Sequence, residues 1–384
     1  MRGWASILKS ALSLGLQAAW PAAVAWARRG YFRPPDWSAI RPRTVALVAC
    51  HWIGDTFWAT QVAPVLKERF AGAQIYAVTK PLCVDLWHGL LPPERVLPAG
   101  EVVSDRRREA ASWSAIRRRA RELRSVGFDL AIDLTGNRYS AWFSFLLRPR
   151  WSLGFDGGEL GWLYTQRVGI PAGRHLSEQP FRLVEPLLAG QNCPFAYSLP
   201  LRPPTPTCQP RALLEALWLA GRRYCVVAPG AGWAAKQWPL ERFAQVAGML
   251  QARGLTVVVV GSAAERPLCE ALARAIGGSA CLFVGEPLGR LVALLSGADG
   301  VLTNDSGLAH LAAAMDSSNA TGDGNASEGN PPRLVEGTTA GKKIAAVFTG
   351  TTDPRLCRPL GREGLVRVFQ ADSSAESIAA HLLG

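Results

Sequence analysis

Residues 44–60 read TVALVACHWIGDTFWAT, and they contain the change from strand to helix on which the fold prediction rests. The apolar run that ends at Ala49 is typical of a buried strand, whereas residues 55–70 have helical spacing. Gly54 and Asp55 stand where the strand gives way to the helix. From these residues alone, Asp55 is expected to cap the helix. Whether it also takes part in chemistry depends on what the fold places beside it.

The same alternation of apolar runs and helical patterns recurs in both halves of the chain. It includes the strand patterns QIYAVT, FDLAIDLTGN, YCVVAPG, LTVVVVG and GVLTND, and KIAAVFTG is predicted to close the second sheet. Such alternation predicts an α/β fold in which helices cover both faces of parallel sheets. Two domains of this kind would face each other across a cleft, with ligands at the carboxyl ends of the strands.

A chain of 384 residues is too long for one typical core, so we expect two domains. The proline-rich segment 201–210 resists helix and sheet pairing and is predicted to be the linker. This divides the chain into an extension and connector over 1–43, a first domain over 44–200 and a second over 211–384. Within the second domain, residues 316–343 are rich in Ser, Asn, Gly and Thr and are predicted to be a flexible insertion.

Charge and composition favour some partners and exclude others. The net charge of +12, from 42 Lys and Arg against 30 Asp and Glu, favours an anionic partner. The chain lacks the zinc-finger, RNA-recognition and dinucleotide patterns, so nucleic acid is not the expected partner. The eight cysteines form no C-x-x-C pair and the five histidines lack ligand spacing. We therefore predict buried thiols in a reducing compartment and no metal site.

Two segments suggest contact with a membrane surface. Residues 11–30 are apolar and carry tryptophan, but Gln17 and Pro21 interrupt them, and they are weakly hydrophobic for a spanning helix. A helix in the membrane interface, a helix packed on the protein and a secretory signal all remain open. Residues 106–124 are rich in arginine and predict either a solvated basic helix or a surface that faces an anion or a membrane.

The loop PGAGWAAKQWPLERF of the second domain follows one strand and precedes a helix. Gly230 and Ala231 are small enough to let backbone N–H groups approach an anion, and Lys236 supplies a positive charge. The loop is predicted to bind phosphate, although a plain connecting turn would have a similar composition. Gly261 ends the next strand, and Glu265 near the following helix start either accepts hydrogen bonds from a ribose diol or complements the helix dipole.

The sequence TNDSGLAHL predicts a second anion site at another helix start. Asn304, Asp305 and Ser306 are all good caps, and Gly307 permits close backbone approach. One cap would suffice for folding, so three polar residues, a glycine and the nearby His310 indicate an anchor for a diphosphate. A histidine such as His310 is, by itself, more often a satisfied residue of a helix.

These motifs stand in the order found in one enzyme family. The blocks HWIGDTFWATQVAPVLKERF, DLAIDLTGNRYSAWFSFLLRPRWSLGFD, PGAGWAAKQWPLERFAQVAGML, VVVVGSAAE, LLSGADGVLTNDSGLAHLAAAM and AAVFTGTTDP together resemble glycosyltransferase family 9, the ADP-heptose:lipopolysaccharide heptosyltransferases. The similarity covers roughly residues 44–370 apart from the insertion. It implies a GT-B fold, an acceptor bound mainly by the first domain, a nucleotide-sugar bound by the second, and inverting transfer without a metal or other cofactor.

The resemblance also implies roles for particular residues. Asp55 matches the aspartate proposed as general base, and Lys236 matches the lysine on the donor phosphates. Glu265 matches the acid at the ribose, and the segment 305–307 matches the loop under the diphosphate. We place four further residues on the acceptor side: His51, Gly54, Gly136 and Asn137.

The chain departs from the family pattern in three places. Residues 50–52 are Cys-His-Trp where family members commonly carry an arginine and small polar residues, and residues 349–354 read TGTTDP. The third departure is the insertion. We therefore expect a glycosyltransferase on the cytoplasmic face of the bacterial inner membrane that moves a heptose to a lipopolysaccharide core or related anionic glycolipid. A transferase of the same fold that uses another nucleotide-sugar for a different cell-surface glycan, and a non-catalytic nucleotide- or lipid-binding member, remain alternatives.

Overall fold

The computed structural model describes residues 34–100, 113–158, 160–188, 202–277, 280–317, 341–361 and 364–384. The predicted membrane-interface segment 11–30 and most of the predicted insertion lie outside these residues. Within the described parts of the chain, no helix is both long enough and apolar enough to cross a membrane.

The first sheet contains six parallel strands in the order β3-β2-β1-β4-β5-β6. Four of the six residues in QIYAVT and five of the six in TVALVA are buried, as expected for strands covered on both faces. The strands are β1 (Thr44–Ala49), β2 (Gln74–Thr79), β3 (Val96–Pro98), β4 (Leu130–Asp133), β5 (Trp151–Phe155) and β6 (Gln166–Val168).

The predicted helix over residues 55–70 is divided in two. The first helix begins at Ile53 and ends at Thr60, and the second runs over Val62–Arg69. Pro64 lies in the second helix and has no N–H to donate to the carbonyl of Thr60, which explains the interruption. The helices of this half are α1 (Ile53–Thr60), α2 (Val62–Arg69), α3 (Trp113–Leu123), α4 (Arg138–Leu146) and α5 (Gln179–Val184). Short 3₁₀ helices cover Pro81–Trp87, Pro93–Arg95, Arg124–Val126, Gly161–Leu163, Leu176–Glu178 and Glu185–Leu188.

The second sheet repeats this architecture with six parallel strands in the order β12-β11-β10-β7-β8-β9. Its strands are β7 (Tyr224–Ala228), β8 (Thr256–Gly261), β9 (Cys281–Val284), β10 (Gly300–Asn304), β11 (Lys343–Phe348) and β12 (Val366–Gln370). Its helices are α6 (Pro210–Ala216), α7 (Leu240–Ala252), α8 (Arg266–Ala275), α9 (Leu288–Ser296), α10 (Gly307–Ser317), α11 (Pro354–Cys357) and α12 (Ala375–Leu383). The 3₁₀ helices are Ala234–Lys236 and Ala263–Glu265.

The prediction that KIAAVFTG closes the second sheet is wrong. Strand β12 pairs with β11 and forms the edge beyond it. Only one of the five residues of β12 is buried, and Arg367 is exposed within it. An edge strand of this kind has a polar, alternating sequence, which is a weaker signal than the continuous apolar runs of the interior strands.

In each sheet the strand order reverses between two central neighbours. The reversal falls between β1 and β4 in the first sheet and between β10 and β7 in the second. At such a point the connections leave to opposite sides, so a crevice opens beyond the carboxyl ends of the two strands. The predicted site residues follow these four strands or β8, the neighbour of β7.

The two halves are joined by polar contacts as well as by a shared apolar cluster. The carboxylate of Asp85 accepts a hydrogen bond from the backbone N–H of Gly289, at 2.7 Å, in the first turn of α9. In the predicted linker, residues 202–209 form neither helix nor strand, and the backbone N–H of Arg202 donates to the side chain of Gln61 at 2.9 Å. The domain boundaries themselves stay predictions.

Candidate active site

The starts of α1 and α10 meet in the crevice between the two halves. A Cβ atom added to Gly307 would lie only 2.7 Å from the backbone nitrogen of Gly54 and 2.9 Å from Cβ of Ile53. Both positions therefore need glycine because the two backbones are already in contact. The positive ends of two helix dipoles consequently point into the same region.

Asp55 lies in the first turn of α1, but it does not cap the helix. The N-cap residue is Trp52, and the helix start has no side-chain capping hydrogen bond. The cap prediction is therefore wrong, because the helix begins two residues before Asp55 rather than at it. The carboxylate is 41% exposed and faces the crevice end of the helix, where it is accessible to a ligand.

His51 lies between Asp55 and the loop that follows β4. Its Nε2 is 2.8 Å from the carbonyl oxygen of Thr135, and its Nδ1 is 3.7 Å from Oδ2 of Asp55. A carbonyl can only accept a hydrogen bond, so Nε2 carries the proton in this contact. The structure thus places His51 beside Asp55, and its assignment to the acceptor side stays a prediction.

The loop after β4 is held by a buried carboxyl group that the sequence analysis did not single out. Asp133 is completely buried and accepts hydrogen bonds from the hydroxyl of Tyr164 at 2.6 Å and from the backbone N–H of Thr135 at 2.9 Å. Burial raises the pKa of Asp133, although its hydrogen bonds act in the opposite direction. Its position at the end of FDLAIDLTGN, in a buried strand, is the signal that could have identified it.

Gly136 and Asn137 shape this loop rather than project from it. Gly136 has a positive φ of 72°, and a Cβ there would lie 2.6 Å from the ring of Phe155. Asn137 is the N-cap of α4, and its side chain accepts hydrogen bonds from the backbone N–H groups of Tyr139 and Ser140. In the structure, these two residues fix the backbone of the loop. Their placement on the acceptor side stays a prediction.

On the opposite side of the crevice, Lys236 forms an ion pair with Asp305. Nζ of Lys236 lies 2.5 Å from Oδ2 of Asp305, and their side chains are 19% and 7% exposed. Thr352 also donates to Oδ2 of Asp305, and the hydroxyl of Thr349 donates to the carbonyl of Ala235 at 2.6 Å. The divergent block TGTTDP therefore supports both predicted anion loops, a role that sequence reasoning missed.

The buried side chain of Asn304 connects the two predicted anion loops. It has no exposed surface, its amide nitrogen donates to the carbonyls of Pro229 and Gly230, and its amide oxygen accepts from the N–H of Trp238. We predicted Asn304 as a donor-binding residue, but its buried amide supports the loop and does not face the crevice. Ser306 is partly exposed, and its hydroxyl lies 2.9 Å from that of Thr303.

Glu265 lies against Gly230, so this acid is adjacent to the predicted phosphate loop. Its Oε2 accepts hydrogen bonds from both the backbone N–H and the hydroxyl of Ser262, which forms a capping box. A Cβ on Gly230 would lie 2.0 Å from Oε1, and one on Gly261 would lie 2.6 Å from Sγ of Cys269. Glu265 thus complements its helix start, as one of our two readings proposed, and its Oε1 faces the loop. Ala231, next to Gly230, is partly exposed in that loop.

His310 is buried where α1 packs on α10. Its ring lies 5.2 Å from that of Trp58, and its Cδ2 would be 2.9 Å from a Cβ on Gly54. Burial lowers the pKa of His310 to about 4, so the ring is neutral at physiological pH. Nδ1 has no hydrogen-bond partner within the described residues. The structure therefore brings His310 to the junction of the two helix starts.

The sequence analysis also predicted buried thiols and no metal site. The seven described cysteines are free thiols, of which five are buried as predicted, whereas Cys208 and Cys281 are partly exposed; Cys193 lies outside the described residues. In the part of the chain that the structure describes, no group of three or more His, Cys, Asp or Glu side chains could hold a metal ion.

The two Rossmann-like sheets, whose switch points open on the same crevice, form a GT-B fold. A model of the family described as glycosyltransferase family 9 (heptosyltransferase) matches residues 116–322. The chain belongs to this family, which confirms the resemblance inferred from the sequence blocks.

Similar proteins agree with this assignment. The chain is 29% identical over 289 residues to lipopolysaccharide heptosyltransferase 1 of Pseudomonas aeruginosa, with 71% of this chain and 76% of the relative covered. The fold matches the solved E. coli ADP-heptose lps heptosyltransferase II with a TM-score of 0.67 and 19% identity, over 88% of this chain and 97% of that one. It also matches E. coli heptosyltransferase WaaC with ADP, with a TM-score of 0.60 and 20% identity, over 88% and 99%.

The contact between the two helix starts can be tested with Gly307→Ala. The added methyl group would meet the backbone of Gly54, which cannot move away without shifting α1. Because displacement of catalytic groups by about 1 Å can cost roughly a hundredfold in rate, we expect glycosyl transfer to fall at least about tenfold. Turnover at saturating substrate is the measurement.

Gly248→Ala is the matched control. Gly248 lies inside α7, and a Cβ there would have no neighbour within 4 Å. This variant should keep the wild-type rate and gain up to about 1 kcal/mol in the free energy of unfolding. Wild-type turnover by Gly307→Ala would show that the two helix starts need not touch during the reaction.

Proposed function

We propose that this enzyme transfers a heptose from ADP-heptose to a lipopolysaccharide core or related glycolipid, with inversion at the anomeric carbon and without a metal ion. Its relatives support this donor and acceptor, since one is an ADP-heptose lps heptosyltransferase and another is solved with ADP. The observation that carries the proposal is the meeting of α1 and α10, which brings Asp55 and the 305–307 loop to one crevice.

Asp55 is the general base in this proposal. An acceptor hydroxyl must lose its proton as its oxygen attacks the anomeric carbon, and a partly exposed carboxylate at the crevice can take that proton. Asp55 belongs to the first half of the chain, whereas the anion loops belong to the second. A donor held between them would present opposite faces to the base and to the departing diphosphate, as inversion requires.

The leaving diphosphate is stabilised by fixed positive groups. Asp305 and Thr352 hold Lys236 in place, and the α10 start directs backbone N–H groups into the same space. Such preorganised charges act on the charge that develops as the bond to the leaving group breaks. They supply the electrostatic role that a metal ion has in other transferases. Glu265, with Oε1 beside the phosphate loop, is placed to receive the ribose hydroxyls.

We propose that the enzyme reaches its acceptor at the surface of an anionic membrane. Trp113, at the start of α3, is 44% exposed and lies 5.1 Å from the ring of Tyr139 in α4. Arg117 lies over the ring of Trp142, and Arg118 is exposed beside it. We name Trp113, Arg117, Arg118 and Trp142 the aromatic-basic surface.

The aromatic-basic surface borders the crevice because α4 begins directly after the loop that follows β4. Tryptophan at headgroup depth combined with arginine suits an anionic lipid surface. We therefore propose that the enzyme works in the cytoplasm at the inner face of the bacterial inner membrane. It needs no cofactor other than the nucleotide-sugar and no nucleic-acid partner.

The role of Asp55 is tested with Asp55→Asn, which keeps the shape of the side chain and removes its basicity. Loss of a general base typically costs about 10²–10⁴ in rate, so we expect ADP release from ADP-heptose and a lipid A core acceptor to fall by that factor. ADP affinity, measured by calorimetry, should stay within about twofold because the donor loops are untouched.

Asp372→Asn is the control for Asp55→Asn, since it makes the same change at an exposed position after β12. EDTA added to the same assay tests metal independence, and the rate should not change. Undiminished turnover by Asp55→Asn would exclude the general-base role, and inhibition by EDTA that added metal reverses would exclude metal-free transfer.

Lys236→Ala is expected to weaken ADP binding by about tenfold, equivalent to about 1.4 kcal/mol, because it removes the cation paired with Asp305. The weakening should shrink as salt is added. Lys343→Ala removes the same charge at the start of β11, the opposite end of the sheet from the crevice, and should bind ADP normally. Equal ADP affinity in wild type and Lys236→Ala would contradict a phosphate-binding role.

Membrane contact is tested by reversing the charge of the aromatic-basic surface. In Arg117→Glu with Arg118→Glu, we expect sedimentation with phosphatidylglycerol vesicles to fall at least about tenfold, since each basic residue contributes about 1 kcal/mol at an anionic surface. The control, Arg253→Glu with Arg274→Glu, reverses two exposed charges at the ends of α7 and α8. Equal loss of vesicle binding in both pairs would point to net charge and away from this surface.

A further inference from the structure

His51 is an ionisable residue beside Asp55, the proposed base, and it has no role in the proposed transfer reaction so far. It lies in the Cys-His-Trp segment that departs from the family pattern. Its side chain is 37% exposed at the crevice, four residues before Asp55. Its two ring nitrogens have different surroundings, and this difference restricts what the ring can do.

The contact with Thr135 fixes the tautomer of His51. Nε2 lies 2.8 Å from the Thr135 carbonyl oxygen, so this nitrogen carries a proton whether the ring is neutral or charged. In the neutral ring, Nδ1 therefore holds a lone pair, and it lies 3.7 Å from Oδ2 of Asp55. A neutral His51 can accept a proton from the direction of Asp55 but cannot donate one to it.

The Thr135 carbonyl is itself held in place. The Thr135 backbone N–H donates to the buried Asp133, and its hydroxyl accepts from the backbone N–H of Cys50 at 2.8 Å. His51 thus rests on a carbonyl that is tied both to the loop after β4 and to the end of β1. Such support restricts rotation of the ring and keeps Nδ1 turned toward α1.

We propose that His51 is a positioning residue that accepts from Asp55 the proton taken from the acceptor hydroxyl. This step rests on the proposed function, in which Asp55 is the base. In that reaction the acceptor O–H bond breaks, the new bond from oxygen to the anomeric carbon forms, and the electron pair of the old glycosidic bond leaves with the diphosphate. The proton passes to Asp55, then to Nδ1 of His51, and afterwards to solvent water.

The benefit of the second transfer is electrostatic. It restores the Asp55 carboxylate and produces an imidazolium whose two N–H groups face Asp55 and the Thr135 carbonyl. An imidazolium that pairs with the Asp55 carboxylate and donates a charge-assisted hydrogen bond to the Thr135 carbonyl is a more stable place for the proton than the carboxylic acid alone. Imidazole is also the side chain that most readily gains and loses a proton near neutral pH.

The other ionisable groups described near His51 are engaged elsewhere or stay protonated. Asp55 is therefore the group that passes a proton to His51. Lys80 lies 4.5 Å from the ring centre of Trp52, and Sγ of Cys83 is 3.9 Å from the His51 backbone oxygen. Burial raises the pKa of Cys83 to about 11, so this thiol stays protonated at neutral pH. Asp133 is buried, and its hydrogen bonds are to Tyr164 and its own loop.

His51→Gln is the test, because glutamine can keep an N–H donor toward Thr135 while removing the proton acceptor toward Asp55. We expect kcat to fall roughly tenfold to a hundredfold with the KM for ADP-heptose unchanged.

His381→Gln is a matched control, since Nε2 of His381 also contacts a backbone carbonyl, that of Ile344, at 3.1 Å. It lies in α12, away from the crevice, and its kcat should be that of the wild type. An unchanged kcat in His51→Gln, with Asp55→Asn inactive, would overturn the inference and leave the proposed function intact. Full activity of Asp55→Asn would overturn both.

A spectroscopic measurement keeps the proposal testable if His51→Gln folds poorly. The imidazole ¹⁵N signals of the five histidines can be compared in the wild-type enzyme and in Asp55→Asn. His51 should show the Nε2–H tautomer, and its Nδ1 signal should shift between the two proteins, whereas that of His381 should not. An Nδ1–H tautomer, or a His51 Nδ1 signal insensitive to Asp55→Asn, would overturn the inference.

Discussion

The contact between the starts of α1 and α10 is the constraint on which the site depends. Gly54 and Gly307 bring two helix backbones so close that no side chain fits between them. Each helix follows a strand at the switch point of its own sheet, so the contact joins the two places where ligands bind in such folds. It sets the turn that carries Asp55 in one half against the loops that carry Lys236 and Asp305 in the other.

Behind this contact, each half is supported by a buried polar group. In the first half, Asp133 is held by Tyr164 and holds the loop that His51 touches. In the second half, the amide of Asn304 joins the ends of β7 and β10. Buried polar groups are costly unless they are fully hydrogen-bonded, and once bonded they allow few alternative arrangements. The loops at the crevice are therefore built before any ligand arrives.

The charges at the crevice are arranged asymmetrically. On the second half, Lys236 and the α10 start favour an anion, while Asp305 balances and orients the lysine. On the first half, Asp55 and His51 form a partly exposed pair that can handle a proton. Neutral His310 packs between the halves, and burial lowers its pKa to about 4, so it adds no charge there. Separation of proton transfer from charge stabilisation suits a displacement with a base on one side and an anionic leaving group on the other.

The sequence by itself determined the α/β class, the repetition of the strand and helix pattern, and the positions of the loops that carry Asp55, Lys236 and Asp305. These features are local. A buried parallel strand appears in the sequence as a continuous apolar run, and a turn appears as a glycine, each within a few residues. The tertiary structure alone decided that β12 forms the edge of the second sheet. It also showed that Asn304 supports the loops instead of facing the crevice.

Only the tertiary structure, too, decided that Asp55 leaves the helix uncapped, that Gly54 touches Gly307, and that the His51 ring turns its Nδ1 toward Asp55. Each of these depends on contacts between residues that lie far apart in the chain, such as His51 with Thr135 and Lys236 with Asp305. The spacing of residues along the chain does not predict such pairs, because their geometry arises from packing between separate elements.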